Sequence, residues 1–61
     1  MFIKVTGLKG STVLVNINNI ICVVEQEGQV KIVYTDDSYL RINESIDEVE
    51  QILKGADDEH N

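Results

Sequence analysis

Two runs of consecutive apolar residues, 13–15 and 20–24, constrain the fold of this chain more than any other feature. A strand with one face in water alternates apolar and polar residues, whereas an uninterrupted apolar run is typical of a strand covered on both faces. The chain has only 61 residues, and a domain of about 60 residues buries only about 60% of the surface that its unfolded chain exposes. Covering two such strands within one copy is therefore difficult.

Five segments are rich in β-branched and aromatic residues and are bounded by glycine, asparagine or aspartate, a pattern that predicts strands. The segments are 2–7, 11–16, 20–26, 29–35 and 38–43. The separators between them are too short for a crossover helix, so neighbouring strands are expected to pair antiparallel, as a meander.

The register of the last two strands follows from the side-chain period of two, because a slip by one residue reverses every side chain. Ile32 shares a face with Leu40 and Ile42 only if the loop at residues 36–38 holds three residues. We therefore predict a three-residue loop. Val30 and Tyr34 of the fourth strand share the face of Ile32. The residues of the other strands that are expected on the same core face are Ile3, Val5, Ile21 and Val23.

A helix is predicted after the fifth strand. Ser45 and Glu48 have the spacing of a capping box, in which each side chain bonds the backbone amide of the other residue. Apolar residues then recur on one helix face, at Ile46, Val49, Ile52 and Leu53. Gly55 is the expected left-handed stop, and residues 56–61 are expected to be a disordered acidic tail.

The predicted fold is α+β, with an antiparallel five-stranded β-meander followed by one C-terminal α-helix, in a single domain of residues 1–55. A ten-residue helix is about 15 Å long and about 10 Å across, whereas five strands at about 4.8 Å spacing make a sheet about 19 Å wide. One helix therefore covers about half of one sheet face. The sheet could curl into a small barrel and bury one set of side chains internally, or a second copy could cover the other face.

Self-association is the interpretation that we favour. Three or four apolar side chains left in water forfeit roughly 1.5 to 3 kcal/mol each, which is comparable with the whole stability of a small domain. A contiguous exposed apolar patch usually marks an interface. We expect a homo-oligomer, and the residues predicted to make the contact are Leu14, Ile20, Cys22, Val24 and Val33.

Catalysis is not expected, because acid–base chemistry needs several convergent titratable groups and the sequence offers one histidine, His60, with no glycine-rich phosphate loop and no cysteine pair. We expect no cofactor, no metal and no small-molecule substrate. Residues 57–60 could attract a divalent cation, but a solvated tail is the simpler interpretation. Cys22, within an apolar run, is expected to be an unreactive core or interface residue.

Charge is distributed unevenly along the chain. Residues 1–43 carry four acids and four bases, whereas residues 44–61 carry seven acids and Lys54, giving a net charge of −6. Without clustered Lys and Arg, a nucleic-acid ligand is not expected. The acids that begin at Glu44 could instead dock on a basic partner, so that the protein would act as a small acidic regulator of a nucleic-acid-binding protein; a solubilising helix face is the simpler interpretation.

Two further expectations concern exposed aromatic residues and location. Tyr34 and Tyr39 flank the last loop and are candidate aromatic anchors for a protein partner. Lys4 interrupts the first apolar residues, so we expect neither a signal peptide nor a membrane span. The single cysteine agrees with a cytoplasmic location.

Residues 35–49 resemble the last strand and helix start of the FlbD family of small flagellar-operon proteins. Members typically read Thr-Asn-Gly, a short strand, then Glu-Ser, an aliphatic residue, two acids and Val. Residues 1–10 look like the opening strand and turn of that family, and Asn16, Ile20 and Val23 fit its spacing.

The chain departs from the family at Asp37, where members have glycine, and at Ile21 and Cys22, where they have charged residues. The acidic tail is also extra. The resemblance implies a cytoplasmic accessory protein of bacterial motility, linked to motor function, with no catalytic or binding residues to carry over.

Overall fold

A computed structural model describes residues 1–60, with side chains described for residues 1–56. The fold is α+β, as predicted. Its elements follow in the order β1 (Phe2–Thr6), β2 (Thr12–Asn16), a 3₁₀ helix (Ile17–Asn19), β3 (Ile20–Gln26), β4 (Gln29–Tyr34), β5 (Tyr39–Ile42) and α1 (Ile46–His60).

The strands form two antiparallel sheets, so the predicted single five-stranded meander is not confirmed at the step from β2 to β3. One sheet contains β1 and β2, and the other has the order β3-β4-β5. The side chain of Asn16 accepts a hydrogen bond of 3.0 Å from the Asn18 amide and caps the 3₁₀ helix. Such local bonds compete with a strand ladder, so the chain leaves β2 without forming a hairpin. Closure into a barrel is not confirmed.

The two sheets are joined where β1 and β5 end. Gly7 forms an isolated antiparallel bridge with Ile42, and the Asn43 amide donates to the Thr6 carbonyl at 2.9 Å. The Asn43 side chain donates to the Gly7 carbonyl at 3.0 Å. This junction holds the end of β1 against the residues that lead into α1. Because β1 and β5 meet at the junction, β2 and β3 are the outermost strands of the two joined sheets.

The core lies between the two sheets and α1. Its buried residues are Ile3, Val5, Val15, Val30, Ile32, Ile42 and Val49. The helix packs against this cluster through Ile46, Ile52, Leu53 and Ala56. The predicted apolar helix face and the predicted core positions in β1, β4 and β5 are thereby confirmed.

The prediction that Ile21 belongs to the core is wrong. A bulge interrupts β3, because Ile20 pairs with Tyr34 while Cys22 pairs with the preceding residue, Val33. The extra residue reverses the alternation of side chains. Ile20, predicted for the outer face, therefore packs against the core, and Ile21 is 58% exposed.

The loop between β4 and β5 has the predicted length of three residues, although it covers 35–37 rather than 36–38. The Tyr34 amide donates to the Ser38 carbonyl at 2.8 Å, and the Asp37 amide donates to the Tyr34 carbonyl at 3.0 Å. Asp37 has a φ of 71°, as expected for a type I turn followed by a left-handed residue. Leu40 pairs with Ile32, so the predicted shared face is confirmed.

The capping box at the start of α1 is confirmed. The Ser45 amide donates to Glu48 Oε1 at 2.9 Å, and the Glu48 amide donates to Ser45 Oγ at 3.1 Å. Gly55 is not the predicted left-handed stop, because the helix continues through it to His60. Asn61 and the side chains of residues 57–60 lie outside the described part of the chain, so disorder of the tail stays a prediction. In the described residues, α1 is too short and too polar to cross a membrane.

Candidate functional site

The structure brings together only three of the five residues predicted to make a self-contact. Cys22, Val24 and Val33 lie on the outer face of the β3-β4-β5 sheet, with Cys22 paired to Val33. Leu14 is exposed but lies on β2, in the other sheet. Ile20 packs against the core because of the bulge in β3.

Two cations share the outer face with these apolar residues. Lys31 pairs with Arg41 across β4 and β5, and Tyr39 pairs with Val33 in the next row. The Lys31 Nζ lies 4.7 Å from the centroid of the Tyr39 ring, and the Arg41 Cζ lies 5.6 Å from it. Both distances allow a cation–π contact. We call the three side chains Lys31, Tyr39 and Arg41 the cationic clamp.

The cationic clamp disfavours a face-to-face contact of two copies that is centred on it. Such a contact would bring four cations together across a desolvated interface, and like charges facing each other across an interface cost several kcal/mol. The predicted contact through Cys22, Val24 and Val33 is therefore not favoured by the charges around it.

The free edge of β3 is a second candidate surface. One side of β3 pairs with β4, and its other side pairs with no strand among residues 1–60. Natural proteins protect such edges with lysine, proline or short strand length. β3 has seven residues, Ile-Ile-Cys-Val-Val-Glu-Gln, and contains neither lysine nor proline. Its bulge and Glu25 are the only features of the strand that hinder pairing with another chain.

An apolar groove of about 490 Å³ lies between β3 and α1. Its β3 wall consists of residues 20–23, and its α1 wall contains Ile46, Val49 and Leu53. Asp47, Glu50 and Lys54 form the rim on the helix side, where Lys54 and Glu50 make an exposed ion pair of 3.9 Å. We call this feature the β3 groove. Ile21 and Cys22 belong to this wall and are exposed, so the groove and the free edge form one continuous surface.

The aromatic anchors differ in their surroundings. Tyr39 is 51% exposed, which fits the predicted anchor role. Tyr34 packs against the core, and its burial, with a smaller contribution from the nearby Asp36 carboxylate, raises the pKa of its hydroxyl.

Two acids have a lowered pKa, and both have structural partners. Hydrogen bonds from the hydroxyl and then the amide of Ser38 lower the pKa of Asp36 in the β4–β5 loop. Burial raises the pKa of Glu44, but hydrogen bonds with the Thr6 amide, with its own backbone and with the Thr6 side chain together outweigh that effect and lower the pKa overall. Glu44 is therefore a structural residue rather than part of a free acidic face. In the part of the chain with described side chains, no group of three or more metal-binding residues comes together, and the candidate cation ligands at 57–60 lie outside that part.

The sequence carries a signal for the cationic clamp, although the clamp was not among the predicted sites. Lys31 and Arg41 alternate with core residues, so strand register alone places both on the outer face. The β3 groove was missed for another reason, because it depends on the bulge at Ile20 and Ile21. An extra residue in an otherwise apolar run leaves no mark in the pattern.

The fold and these surfaces define a small α+β domain with two antiparallel sheets, one helix and an open apolar strand edge. Comparisons with protein-family models, with curated proteins and with solved structures give no match. The resemblance to the FlbD family therefore stays a prediction.

Proposed function

We propose that the protein is a non-catalytic protein-interaction module that self-associates through β3, with the β3 groove filled by a second copy. One observation carries the proposal: the free edge of β3 continues into an apolar groove at a point where Ile21 is 58% exposed. A strand edge offers backbone donors and acceptors that another strand satisfies.

A second copy suits this surface because it supplies the same strand edge. Closed dimers are usually two-fold symmetric, so that the same patch is used on both copies. Antiparallel pairing of β3 with its symmetry mate would join the two three-stranded sheets into one sheet of six strands. Cys22 and Val24 keep a role in this arrangement as residues of the pairing strand. Ile20 lines the β3 groove that the second copy fills, whereas Leu14 lies on β2 and has no role.

The size of the chain indicates how much surface must be covered. A specific interface buries about 800 Å² per partner, and the whole chain exposes 4336 Å². About a fifth of the surface is therefore needed, which is more than a strand edge provides. The contact has to include the β3 groove and Leu53 on its helix wall.

The test is the molar mass in solution. Light scattering after size-exclusion chromatography at micromolar concentration is expected to give twice the chain mass of 6.9 kDa. Ile21→Lys places a charge at the edge without touching the core, and it should yield a monomer with unchanged circular dichroism. Leu14→Lys is the matched control, because Leu14 is 63% exposed on β2, and it should remain dimeric.

Two results would contradict the proposal. A wild-type mass of 6.9 kDa at concentrations up to about 1 mM would show that the edge does not recruit a second copy. If both lysine variants were monomeric to the same extent, the contact would lie elsewhere, or the added charge would act through general repulsion and not through the β3 edge.

A second candidate function rests on the acids that follow Glu44, at residues 47–61, through which the protein would dock on a basic partner as a small regulator. Salt separates the two candidates. Apolar pairing of two chains that each carry −6 should persist or strengthen at 0.5 M salt, where the Debye length falls below about 5 Å. Docking on a basic partner should weaken sharply under the same conditions.

The cellular role belongs to the same proposal. The resemblance at residues 35–49 supports a cytoplasmic accessory role in motility. Deletion of the gene should then reduce swimming in soft agar, and the Ile21→Lys variant should fail to restore it while the Leu14→Lys variant restores it. Full swimming of the deletion strain would remove the motility part of the proposal and leave self-association to its own test.

A further inference from the structure

The cationic clamp combines three features of a ligand site on the outer face of the β3-β4-β5 sheet. Lys31 and Arg41 are directly opposite each other in the β4–β5 register. Tyr39 lies in the next row of the same face, within cation–π distance of both, and is 51% exposed. We propose that this clamp binds an acidic peptide segment of a partner protein, with its carboxylates held by the two cations.

Among residues 1–56, the cations of the clamp make no ion pair, and Glu27 is the one acid that lines the cleft beside them. Like charges directly opposite each other on paired strands are destabilising. Among residues 1–56, the one ion pair is that of Lys54 with Glu50, so neither Lys31 nor Arg41 has a carboxylate partner there. A ligand carboxylate placed between them would relieve the repulsion, and the planar guanidinium of Arg41 can bind a carboxylate through two parallel hydrogen bonds.

The surroundings of the clamp suit an extended peptide. A cleft of about 200 Å³ beside the cations is lined by Gln26, Gln29 and, at the hairpin end, Glu27. The glutamine amides add donors for further carboxylate or backbone oxygens. On the other side of the clamp, Val33 pairs with Tyr39 and offers apolar contact for a neighbouring side chain. The site therefore fits a segment in which acidic and apolar residues alternate.

Nucleic acid fits this surface less well than an acidic peptide. Phosphate backbones are bound by many cations, whose number sets the affinity and its salt dependence. The clamp has two cations in a chain with a net charge of −6. Two cations match the charge of a short acidic segment but not that of a polyphosphate.

The proposed site is independent of self-association. It lies on the face of the sheet opposite the core and α1, whereas the β3 groove lies between β3 and α1. If the experiment on one surface gives a negative result, the proposal for the other surface still stands.

The experiment is a titration of the ¹⁵N-labelled full chain, followed by NMR, with a blocked peptide in which three glutamates alternate with two valines. Shifts are expected at Lys31, Tyr39 and Arg41, and a peptide with glutamine in place of glutamate should bind at least about tenfold more weakly. The double variant Lys31→Gln with Arg41→Gln should lose affinity about tenfold or more. Tyr39→Leu should lose less affinity than this double variant, because both cations remain.

The matched control is the double variant Lys4→Gln with Lys9→Gln, which removes the same charge from exposed positions of the other sheet and its loop. It should bind the acidic peptide as the wild type does. Equal weakening in both double variants, equal binding of the glutamine peptide, or no shifts at millimolar peptide would overturn the proposal. Tighter binding of a single-stranded oligonucleotide through the same residues would also overturn it. Because Lys31 is half-buried, Arg41→Gln alone provides a second variant at an exposed position.

Discussion

The backbone amide of Thr6 donates to both carboxylate oxygens of Glu44, at 2.9 and 3.0 Å, across 38 positions of sequence. The bond lies at the junction of the two sheets, next to the bridge between Gly7 and Ile42. Glu44 thus satisfies an amide at the end of β1 and fixes the chain just before α1 begins at Ile46.

Replacing Glu44 should destabilise the fold. Hydrogen bonds to charged groups contribute about 1.5 to 3 kcal/mol, and Glu44→Gln keeps one weaker acceptor, so we expect a loss of about 1 kcal/mol in the free energy of unfolding. Urea denaturation followed by circular dichroism measures it. Glu50→Gln is the control, because Glu50 makes only an exposed ion pair, and it should change stability by less than about 0.5 kcal/mol. A similar loss of stability in Glu44→Gln and Glu50→Gln would show that Glu44 does not stabilise the junction.

Stability should also fall in acid, partly through Glu44. Its pKa in the folded chain lies below the ordinary value of 4.5, so its contribution is fully present above about pH 5 and is lost as the pH falls through the lowered pKa. The urea midpoint of the wild type should therefore decrease between about pH 5 and pH 3. Glu44→Gln should show a smaller decrease over that range, since the glutamine does not titrate. An identical pH dependence in the two proteins would contradict this assignment.

Gly55 should be replaceable by alanine with a gain in stability. The glycine lies inside α1, and apart from its chain neighbours and the backbone of the helix itself, no atom lies within 4 Å of the position of an added Cβ. Glycine in a helix costs about 0.5 to 1 kcal/mol relative to alanine, so Gly55→Ala should raise the free energy of unfolding by about that amount.

Gly28 provides the contrasting variant for this experiment. Its site is equally open, but its φ is 76°, a conformation that L side chains rarely adopt. Gly28→Ala should therefore lower stability by about 1 kcal/mol. If Gly55→Ala also lowered the free energy of unfolding, Gly55 would end the helix in solution, as the sequence predicts, and the helix would not continue through it.

The β3–β4 turn should be improved by Glu27→Asn. Glu27 has a φ of 55° and precedes Gly28, and Gln26 pairs with Gln29, which defines a two-residue hairpin loop. Loops with two left-handed residues strongly prefer Asn-Gly. We expect a gain of about 0.5 kcal/mol in urea denaturation, whereas Glu25→Asn, within the strand, should lose stability because asparagine is unfavourable there.

Sequence reasoning succeeded where structure depends on neighbouring residues. The capping box at Ser45 and Glu48 and the three-residue loop before Ser38 are local, and each requires specific residue types at fixed spacing. The apolar helix face followed from period alone. These features were therefore predictable from a single sequence.

Sequence reasoning failed where an inserted residue or a distant contact decides the structure. The bulge at Ile21 exposes a residue that alternation assigns to the core, and the side chain of Asn16 diverts the chain before β3. The bond between Glu44 and Thr6 joins residues that no short pattern connects. The β3 groove was missed for the same reason, because the bulge sets the positions of Ile20 and Ile21 in its wall.

Pairing of β3 with its symmetry mate would give the protein two cationic clamps in one particle. A two-fold axis between antiparallel strands is perpendicular to the sheet, so both copies of Tyr39 would point to the same side and both copies of α1 to the other. The two β5 strands would be about 24 Å apart, at five spacings of about 4.8 Å. A ligand with two acidic segments at that separation would gain avidity from the dimer that no single copy can give.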